Sequence, residues 1–168
     1  GLSDEQMEAM LDCEHGGMPE VYADAYAMTG DERYLYAARR FSHHKVLDSL
    51  AAGVDNLDNM HANTQVPKFV GFQRIAELGG GDEFRRAADN FWHTVVESRS
   101  ISIGGNSRRE HFPAADDYLS YVTDREGPES CNTNNLPKLT EGLFRMKPDA
   151  AYVDFYEREL YNHILSKQ

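Results

Sequence analysis

The sequence predicts an all-α fold built from stacked helical hairpins, and two observations lead to it. First, three segments share one pattern, in which a helix ends, the chain turns on Gly or Pro, and a new helix starts at an Asp. Second, the three aspartates, Asp31, Asp82 and Asp149, lie 51 and 67 residues apart, a spacing typical of helix–turn–helix repeats. Such hairpins either close into an α/α toroid or extend as a solenoid.

The aspartates are predicted N-caps, because their carboxylates accept the first free backbone N–H groups of a helix. In the first two repeats an Ala-Ala pair follows, at 37–38 and 87–88, which lets neighbouring helices approach closely. The periodicity predicts six or seven helices, at about residues 3–12, 18–29, 32–50, 64–78, 83–98, 135–146 and 149–166.

Two longer loops are predicted between these helices, at 53–63 and at about 99–133. The second exceeds an ordinary connection in length and is able to hold a short hairpin around 100–105. We expect it to cover an active site, because catalytic residues concentrate on loops over a rigid scaffold.

Composition narrows the class of protein. A chain of 168 residues is one domain's worth, and a formal net charge of -11 without a basic run disfavours nucleic acid as a partner. No apolar run approaches the ~20 residues that span a bilayer, so we expect no membrane partner. The sequence opens on Gly1 rather than Met, so it gives no basis for predicting export or the cellular location of the protein. Cys13 and Cys131 form no disulfide framework, and nothing in the sequence supports a bridge between them.

The predicted long loop carries two chemically distinctive stretches. The first, GGNSRREHF (104–112), places Glu110 as a candidate general acid, although a surface or loop-bracing role is the alternative. The second pairs Glu129 with Cys131, an oxygen and a soft sulfur ligand that together make half of a zinc site. In an extended loop both would point the same way. The alternative is a structural cysteine beside a glutamate that caps the next helix.

Four further residues are candidates for binding a substrate. His61 and Gln65 flank the start of a predicted helix that Asn63 or Thr64 could cap. Both side chains could then face a pocket. The alternative for His61 is a hydrogen-bonding brace. Glu20 follows a glycine turn, or simply lies beside the positive end of a helix. Glu157 lies on an aromatic-rich helix, where it could reach a sugar hydroxyl or pair with the next arginine.

Several common enzyme classes are disfavoured by the absence of their motifs. The sequence has no P-loop, no Rossmann glycine pattern, no Gly-x-Ser-x-Gly elbow and no His-Glu-x-x-His. His43 and His44 are predicted to lie mid-helix on a solvated face, because no third ligand follows at a useful spacing.

Five segments follow one another along essentially the whole chain: EHGGMPE (14–20), HANTQVPK (61–68), GGNSRREHF (104–112), GPESCNT (127–133) and YERELYN (156–162). Together they resemble the β-L-arabinofuranosidases of glycoside hydrolase families 127 and 146. That group was long catalogued as a domain of unknown function, and the loops resemble family 146 more closely.

The resemblance implies part of an (α/α)6 barrel spanning 1–168, with the remaining barrel helices and the C-terminal β-sandwich domains absent from this sequence. It implies a retaining glycosidase that removes β-L-arabinofuranosyl residues from plant-type glycans, with an arabinose-containing oligosaccharide or glycan as its ligand. Glu110 matches the general acid/base, and Glu129 and Cys131 match two of four zinc ligands. His61 and Glu157 match sugar-binding positions, and the further candidates are Gln65 and Glu20.

The implied chemistry uses zinc to hold a cysteine as a thiolate. That thiolate attacks the anomeric carbon while Glu110 protonates the leaving oxygen, and Glu110 then activates water. The family's nucleophile belongs to a cysteine pair expected beyond Gln168. We therefore expect the 168-residue chain to be inactive alone, with weak or no zinc binding.

One departure and two other functions are left open by the sequence. Asn134 and Pro137 stand where the family tends to have an aromatic residue and a helix former, so we expect Pro137 to disturb its helix unless it lies in the first turn. An inverting toroidal hydrolase using two carboxylates such as Glu110 and Glu20 is one alternative. A non-catalytic helical-repeat scaffold that binds a partner protein is the other.

Overall fold

The computed structural model describes residues 1–13 and 15–167, and within them the fold is all-α, as predicted. Glu14, the first residue of the 14–20 segment, lies outside the described residues. The helices are α1 (Asp4–Leu11), α2 (Met18–Thr29), α3 (Glu32–Arg40), α4 (His44–Ala51), α5 (Ala62–Glu77), α6 (Asp82–His93), α7 (Ser120–Thr123), α8 (Ser130–Met146) and α9 (Ala150–Glu159). Two π-helical turns, Thr94–Ser98 and Leu160–Ile164, continue α6 and α9, and a 3₁₀ turn follows at Leu165–Lys167.

Two of the three predicted N-caps are confirmed. Asp31 and Asp149 each accept the backbone N–H two residues further on, at 3.0 Å. Asp82 is the exception, because Gly81 is the N-cap and Asp82 is already the first residue of α6. Its carboxylate instead pairs with the two arginines one turn later, which lie on the same helix face.

The predicted helix at 32–50 is wrong in one respect, because it is two helices. The chain breaks after α3, where the Ser42 hydroxyl donates to the Ala38 carbonyl at 3.0 Å and His43 adopts extended backbone as the N-cap of α4. The prediction that His43 lies on a solvated helix face is therefore also wrong. Its ring is buried, with the residue 3% exposed.

The second long loop is shorter than predicted, because α8 begins at Ser130 rather than near 135. Pro137 lies in the middle of α8 without ending it, which corrects the expected disturbance. The apolar residues on both sides of it, Leu136 and Leu139, are fully buried, and this packing outweighs the lost backbone hydrogen bond. Around 100–105 the chain makes a tight turn, with the Ile101 N–H donating to the Gly105 carbonyl at 2.9 Å.

The central helix is α5, which packs against α2, α6 and α8 and has buried residues on all sides. Gly71 lets α2 cross it closely, since an added Cβ would lie 2.6 Å from Pro19 Cβ and 2.8 Å from the Glu20 backbone nitrogen. The two Ala-Ala pairs contribute as predicted, with Ala38, Ala87 and Ala88 fully buried. None of the helices in the described part of the chain is both long enough and apolar enough to cross a bilayer.

Candidate active site

The backbone of Glu110 is fixed by hydrogen bonds between two loops. The Asn59 N–H donates to the Phe112 carbonyl and the Phe112 N–H to the Met60 carbonyl, each at 2.9 Å. The Ala62 N–H donates to the Glu110 carbonyl at 2.7 Å. The Phe112 ring is fully buried in the core. Glu110 therefore has a rigid backbone although its side chain is 58% exposed.

Two consecutive residues adopt left-handed backbone at this point, Arg109 with φ 47° and Glu110 with φ 67°. Such conformations cost about 1 kcal/mol or more in non-glycine residues and persist where the surroundings enforce them. Here the Arg109 N–H donates to the Glu126 carbonyl at 3.0 Å, and its guanidinium pairs with Asp124 at 3.0 Å. Strain of this kind concentrates at functional sites, which supports a role for Glu110.

His61 is itself the N-cap of α5, rather than Asn63 or Thr64. Its Nδ1 accepts the Thr64 backbone N–H at 3.2 Å, so the neutral ring carries its proton on Nε2. That Nε2 lies 3.7 Å from Glu110 Oε2, and the ring meets His111 edge-on at 5.2 Å. His61 is therefore both the hydrogen-bonding brace and the pocket-facing residue that the sequence left as alternatives.

A polar cavity of about 480 Å³ lies at this point. It brings together three of the predicted site residues, Glu110, His61 and Gln65. Gln65 is 6% exposed, and within residues 1–13 and 15–167 its Oε1 has no hydrogen-bond partner. A buried acceptor without a partner is rare in folded proteins and is suited to accept a hydrogen bond from a ligand.

The cavity lining also includes Lys68 and His43, which the sequence motifs did not mark as site residues. Lys68 is 1% exposed, and its Nζ lies 2.9 Å from His43 Nδ1. Burial lowers the pKa of Lys68 to about 8. Burial, with the nearby Lys68 charge, lowers the pKa of His43 to about 4, so at neutral pH the pair carries one positive charge, on the lysine.

A signal for Lys68 was present in the sequence. His61, Gln65 and Lys68 are spaced four and three residues apart, so they share one face of a helix whose other positions are largely apolar. No comparable signal marked His43, because its burial depends on the helix break that the sequence did not predict.

Glu129 and Cys131 converge at the start of α8. Glu129 holds the N-cap position without a side-chain capping bond, and Cys131 Sγ lies 3.6 Å from its Oε2. Ordinary zinc bond lengths place a thiolate and a carboxylate oxygen about 3.5 Å apart at neighbouring corners of a tetrahedron, so the pair fits two of a metal's ligands. Without a cation, burial raises the pKa of the Cys131 thiol and the Glu129 carboxylate adds to the rise.

A buried amide pair supports this end of α8. Asn132 donates through Nδ2 to Asn106 Oδ1, and both residues are fully buried. Ser107 donates to Asn132 Oδ1 at 3.4 Å and accepts the Glu129 backbone N–H at 3.3 Å. These contacts join the 104–112 and 127–133 segments, and they position Glu129 and Cys131 from behind.

The thiol side and the acid side adjoin each other but line different surfaces. The Asn135 amide bridges them, donating to Asn63 Oδ1 at 3.0 Å and to the Cys131 carbonyl at 3.3 Å. Among the described residues, neither Glu129 nor Cys131 lines the 480 Å³ cavity. No group of three or more potential metal ligands occurs in that part of the chain, and Cys13 and Cys131 are both free thiols.

The structure places Glu20 and Glu157 elsewhere. Glu20 is in the first turn of α2 and pairs with Lys138 at 3.1 Å, in a separate cleft between α2, α5 and α8. Glu157 lies on the exposed face of α9, beside an apolar groove of about 310 Å³ that includes Tyr152 and Tyr156. Glu20 and Glu110 thus line different clefts, an arrangement that does not favour the two-carboxylate alternative.

Comparison with solved structures agrees with the helical fold described above. Among solved structures, the GH127 β-arabinofuranosidase BT3674 matches the chain with a TM-score of 0.69 at 24% sequence identity. The match covers 88% of this chain and 25% of that protein, so the chain spans about a quarter of its length. No curated protein matches the chain significantly. At this identity the likeness establishes the fold, a segment of an α/α-toroid protein.

The family follows from a second comparison. The model of the family described as β-L-arabinofuranosidase, GH127 catalytic domain, matches residues 1–168. The chain belongs to this family of glycoside hydrolase catalytic domains, as the five sequence segments predicted. The closer likeness to family 146 stays a prediction.

Proposed function

We propose that the protein to which this chain belongs is a retaining glycosidase that releases β-L-arabinofuranosyl residues from plant-type glycans. In this proposal the chain supplies the general acid/base, part of the sugar-binding wall and two zinc ligands. The observation that carries the proposal is the position of Glu110, held on strained backbone at a polar cavity and 3.7 Å from the His61 ring. The family match supports the choice of a β-L-arabinofuranoside as substrate.

Glu110 gives its proton to the leaving oxygen and later takes one from water, the two tasks of the acid/base in retaining hydrolysis. The exposed side chain allows water to reach it for the second task. His61 presents Nε2–H toward the ionised carboxylate, and its tautomer is held by the Thr64 backbone. His61 thereby stabilises Glu110 in the form that exists after proton donation.

We infer that Glu129 and Cys131 hold zinc together with ligands outside this chain. The metal, when bound, keeps a coordinating cysteine in its nucleophilic thiolate form. The contribution of this chain is structural, because the Ser107 hydroxyl accepts the Glu129 N–H and so fixes the backbone where the two ligands begin. The geometry needed here is the 3.6 Å approach of sulfur to carboxylate.

The decisive test of the acid/base is Glu110→Gln in the full-length protein. We expect kcat on a natural glycan to fall by about 10²- to 10⁴-fold, because the amide keeps the shape but donates no acidic proton. A p-nitrophenyl β-L-arabinofuranoside, whose leaving group needs little protonation, should lose less in the step that releases it. Steady-state kinetics measure the loss on each substrate. NMR of the first-formed sugar anomer shows separately whether the native protein retains the anomeric configuration.

The matched control is Glu97→Gln, which alters an exposed glutamate of the π-turn after α6 and should leave kcat unchanged. Full activity of Glu110→Gln on the glycan would refute the acid/base assignment. An inverted product anomer from the native protein would refute the retaining mechanism and favour two carboxylates.

Metal binding is tested separately with Cys131→Ser. We expect the purified full-length variant to lose most of its zinc, since a hydroxyl is a poor substitute for a thiolate ligand. Elemental analysis gives the metal content directly, without reference to activity. Cys13→Ser is the control, because Cys13 lies at the 480 Å³ cavity and away from Glu129. Stoichiometric zinc in Cys131→Ser would exclude it as a ligand.

A further inference from the structure

One wall of the cavity is not used by the acid/base chemistry. It consists of Lys68 and Gln65 on α5, with His43 behind the lysine. We propose that Lys68 and Gln65 together bind one hydroxyl group of the sugar, with Lys68 as the hydrogen-bond donor and Gln65 as the acceptor. The inference rests on the proposed glycosidase function and adds a substrate-binding residue to it.

The two side chains are complementary for one hydroxyl. They lie three residues apart on α5, so they project from the same helix face. Gln65 Oε1 is buried at the cavity without a partner in the described part of the chain, while Lys68 supplies N–H groups there. A hydroxyl has one proton to give and lone pairs to accept, so it satisfies both residues at once.

Lys68 is held in position by a chain of acceptors. Its Nζ donates to His43 Nδ1 at 2.9 Å, which leaves the ring proton of neutral His43 on Nε2. That Nε2 lies 3.7 Å from Asp12 Oδ1 and 4.0 Å from Glu8 Oε2, both on the α1 side. Within the described residues, His43 is the only acceptor of the ammonium group, so two N–H groups stay available to the cavity.

The charges around the cavity favour a neutral hydroxyl over an acidic sugar. Asp12 and Glu110 line the same cavity as Lys68. The other lining lysine, Lys45, already pairs with Asp12 at 2.8 Å, so the cavity has no surplus positive charge for a sugar carboxylate. A hydroxyl needs no surplus charge and still gains a hydrogen bond from a charged donor. Hydrogen bonds to charged groups are the stronger kind, so Lys68 should contribute substantially to sugar binding.

The test compares native full-length protein with Lys68→Met on p-nitrophenyl β-L-arabinofuranoside and its 2-, 3- and 5-deoxy analogues. We expect kcat/KM on the parent sugar to fall by about 10- to 100-fold, the loss typical of one hydrogen bond to a charged donor. One deoxy analogue should react equally with native and variant, because it lacks the hydroxyl that Lys68 contacts. Gln65→Met should lose discrimination against the same analogue.

Different results are expected if Lys68 has a purely structural role. Lys68→Met would then lower the melting temperature, and the loss in kcat/KM would be the same for all four substrates. Burial holds the pKa of Lys68 well below its ordinary value, so its charge opposes folding, and the binding role predicts an unchanged or higher melting temperature for Lys68→Met. Lys147→Met, which removes an exposed lysine at the end of α8, is the charge-matched control and should resemble native.

The remaining outcomes separate a failure of the Lys68 binding role from a failure of the proposed glycosidase function. Native protein that is active on the parent sugar, together with an unchanged kcat/KM in Lys68→Met, overturns the binding role alone. Native protein without activity on any of the furanosides overturns the proposed function and this inference with it. If Lys68→Met fails to fold, the analogue profile of Gln65→Met decides, and equal losses on all analogues overturn the shared hydroxyl.

Discussion

Glu110, the proposed general acid/base, is held in place by its backbone rather than by burial of its side chain. Its side chain is largely in solvent, yet its carbonyl and the neighbouring Phe112 are bonded to the segment that starts α5. His61, at the same helix start, faces the carboxylate. The sequence motif identified Glu110 and His61 as candidates, but the left-handed backbone that directs the carboxylate has no glycine to mark it.

Lys68 and His43 show which residues a sequence motif does not identify. Lys68 ends the 61–68 segment, but the resemblance assigns it no role. Its contact with the buried His43 is what suggests a binding role for it. His43 became a partner through the break between α3 and α4. The helical spacing of 61, 65 and 68 marks the face that carries Lys68, but its contact with His43 joins distant segments, and local sequence does not encode that contact.

A third residue makes a prediction about stability and pH. Glu77, at the end of α5, bonds Arg145 of α8 and Arg74, and the Arg145 contact foremost lowers its pKa from 4.5 to about 2. A depressed carboxyl pKa stabilises the fold above the unfolded value of 4.5, and that stabilisation is lost as the pH falls from 4.5 through 2. We expect Glu77→Gln to cost about 1–2 kcal/mol at pH 7, allowing for solvent screening.

Urea unfolding at pH 7 and pH 2 tests this expectation. The difference between native and Glu77→Gln should be large at pH 7 and nearly vanish at pH 2, where the carboxyl is protonated in much of the folded population. Glu83→Gln, at an exposed position in the first turn of α6, serves as the control. A pH-independent difference would show that the carboxylate charge is not what stabilises the α5–α8 contact.

At the scale of elements, periodicity predicted the helices well where one face is continuously apolar. It failed where termination depends on a side chain and a neighbour, as at Ser42, and where packing overrides a poor helix former, as at Pro137. The helix α5 contributes both to the cavity and to the packing of the core. Its polar face at 61, 65 and 68 forms the cavity, and Gly71 on the same helix receives α2.

At the scale of the molecule, the site joins segments far apart in sequence. Arg99 holds the two loops together, since its buried guanidinium bonds Asp55 at 2.7 Å, Asp58 at 2.5 Å and the Pro113 carbonyl at 2.7 Å. Asp58 in turn accepts the Ala115 N–H at 3.1 Å. The resemblance predicted the toroid segment, but loop-to-loop contacts of this kind arise only in the folded chain.

Removing this arginine should therefore loosen the acid side of the cavity. We expect Arg99→Met to lower the free energy of unfolding by about 2–3 kcal/mol, because the buried hydrogen bonds of the guanidinium are lost while the partly exposed carboxylates of Asp55 and Asp58 regain water. Amide hydrogen exchange at Phe112 and Ala115 should accelerate more than exchange in α5. Arg85→Met, which breaks an exposed pair with Asp82, should have little effect on either measurement. Unchanged exchange at Phe112 would mean that the loop is held without Arg99.

The two walls of the cavity have separate supports. Glu110 depends on loop 99–119 and its arginine, whereas Lys68 and His43 depend on α5, α4 and the end of α1. Under the two proposals made above, changes at Asp12 or His43 would alter the sugar preference of a relative while leaving its chemical step intact. An engineer who wished to retune which furanose is accepted would begin at that second wall.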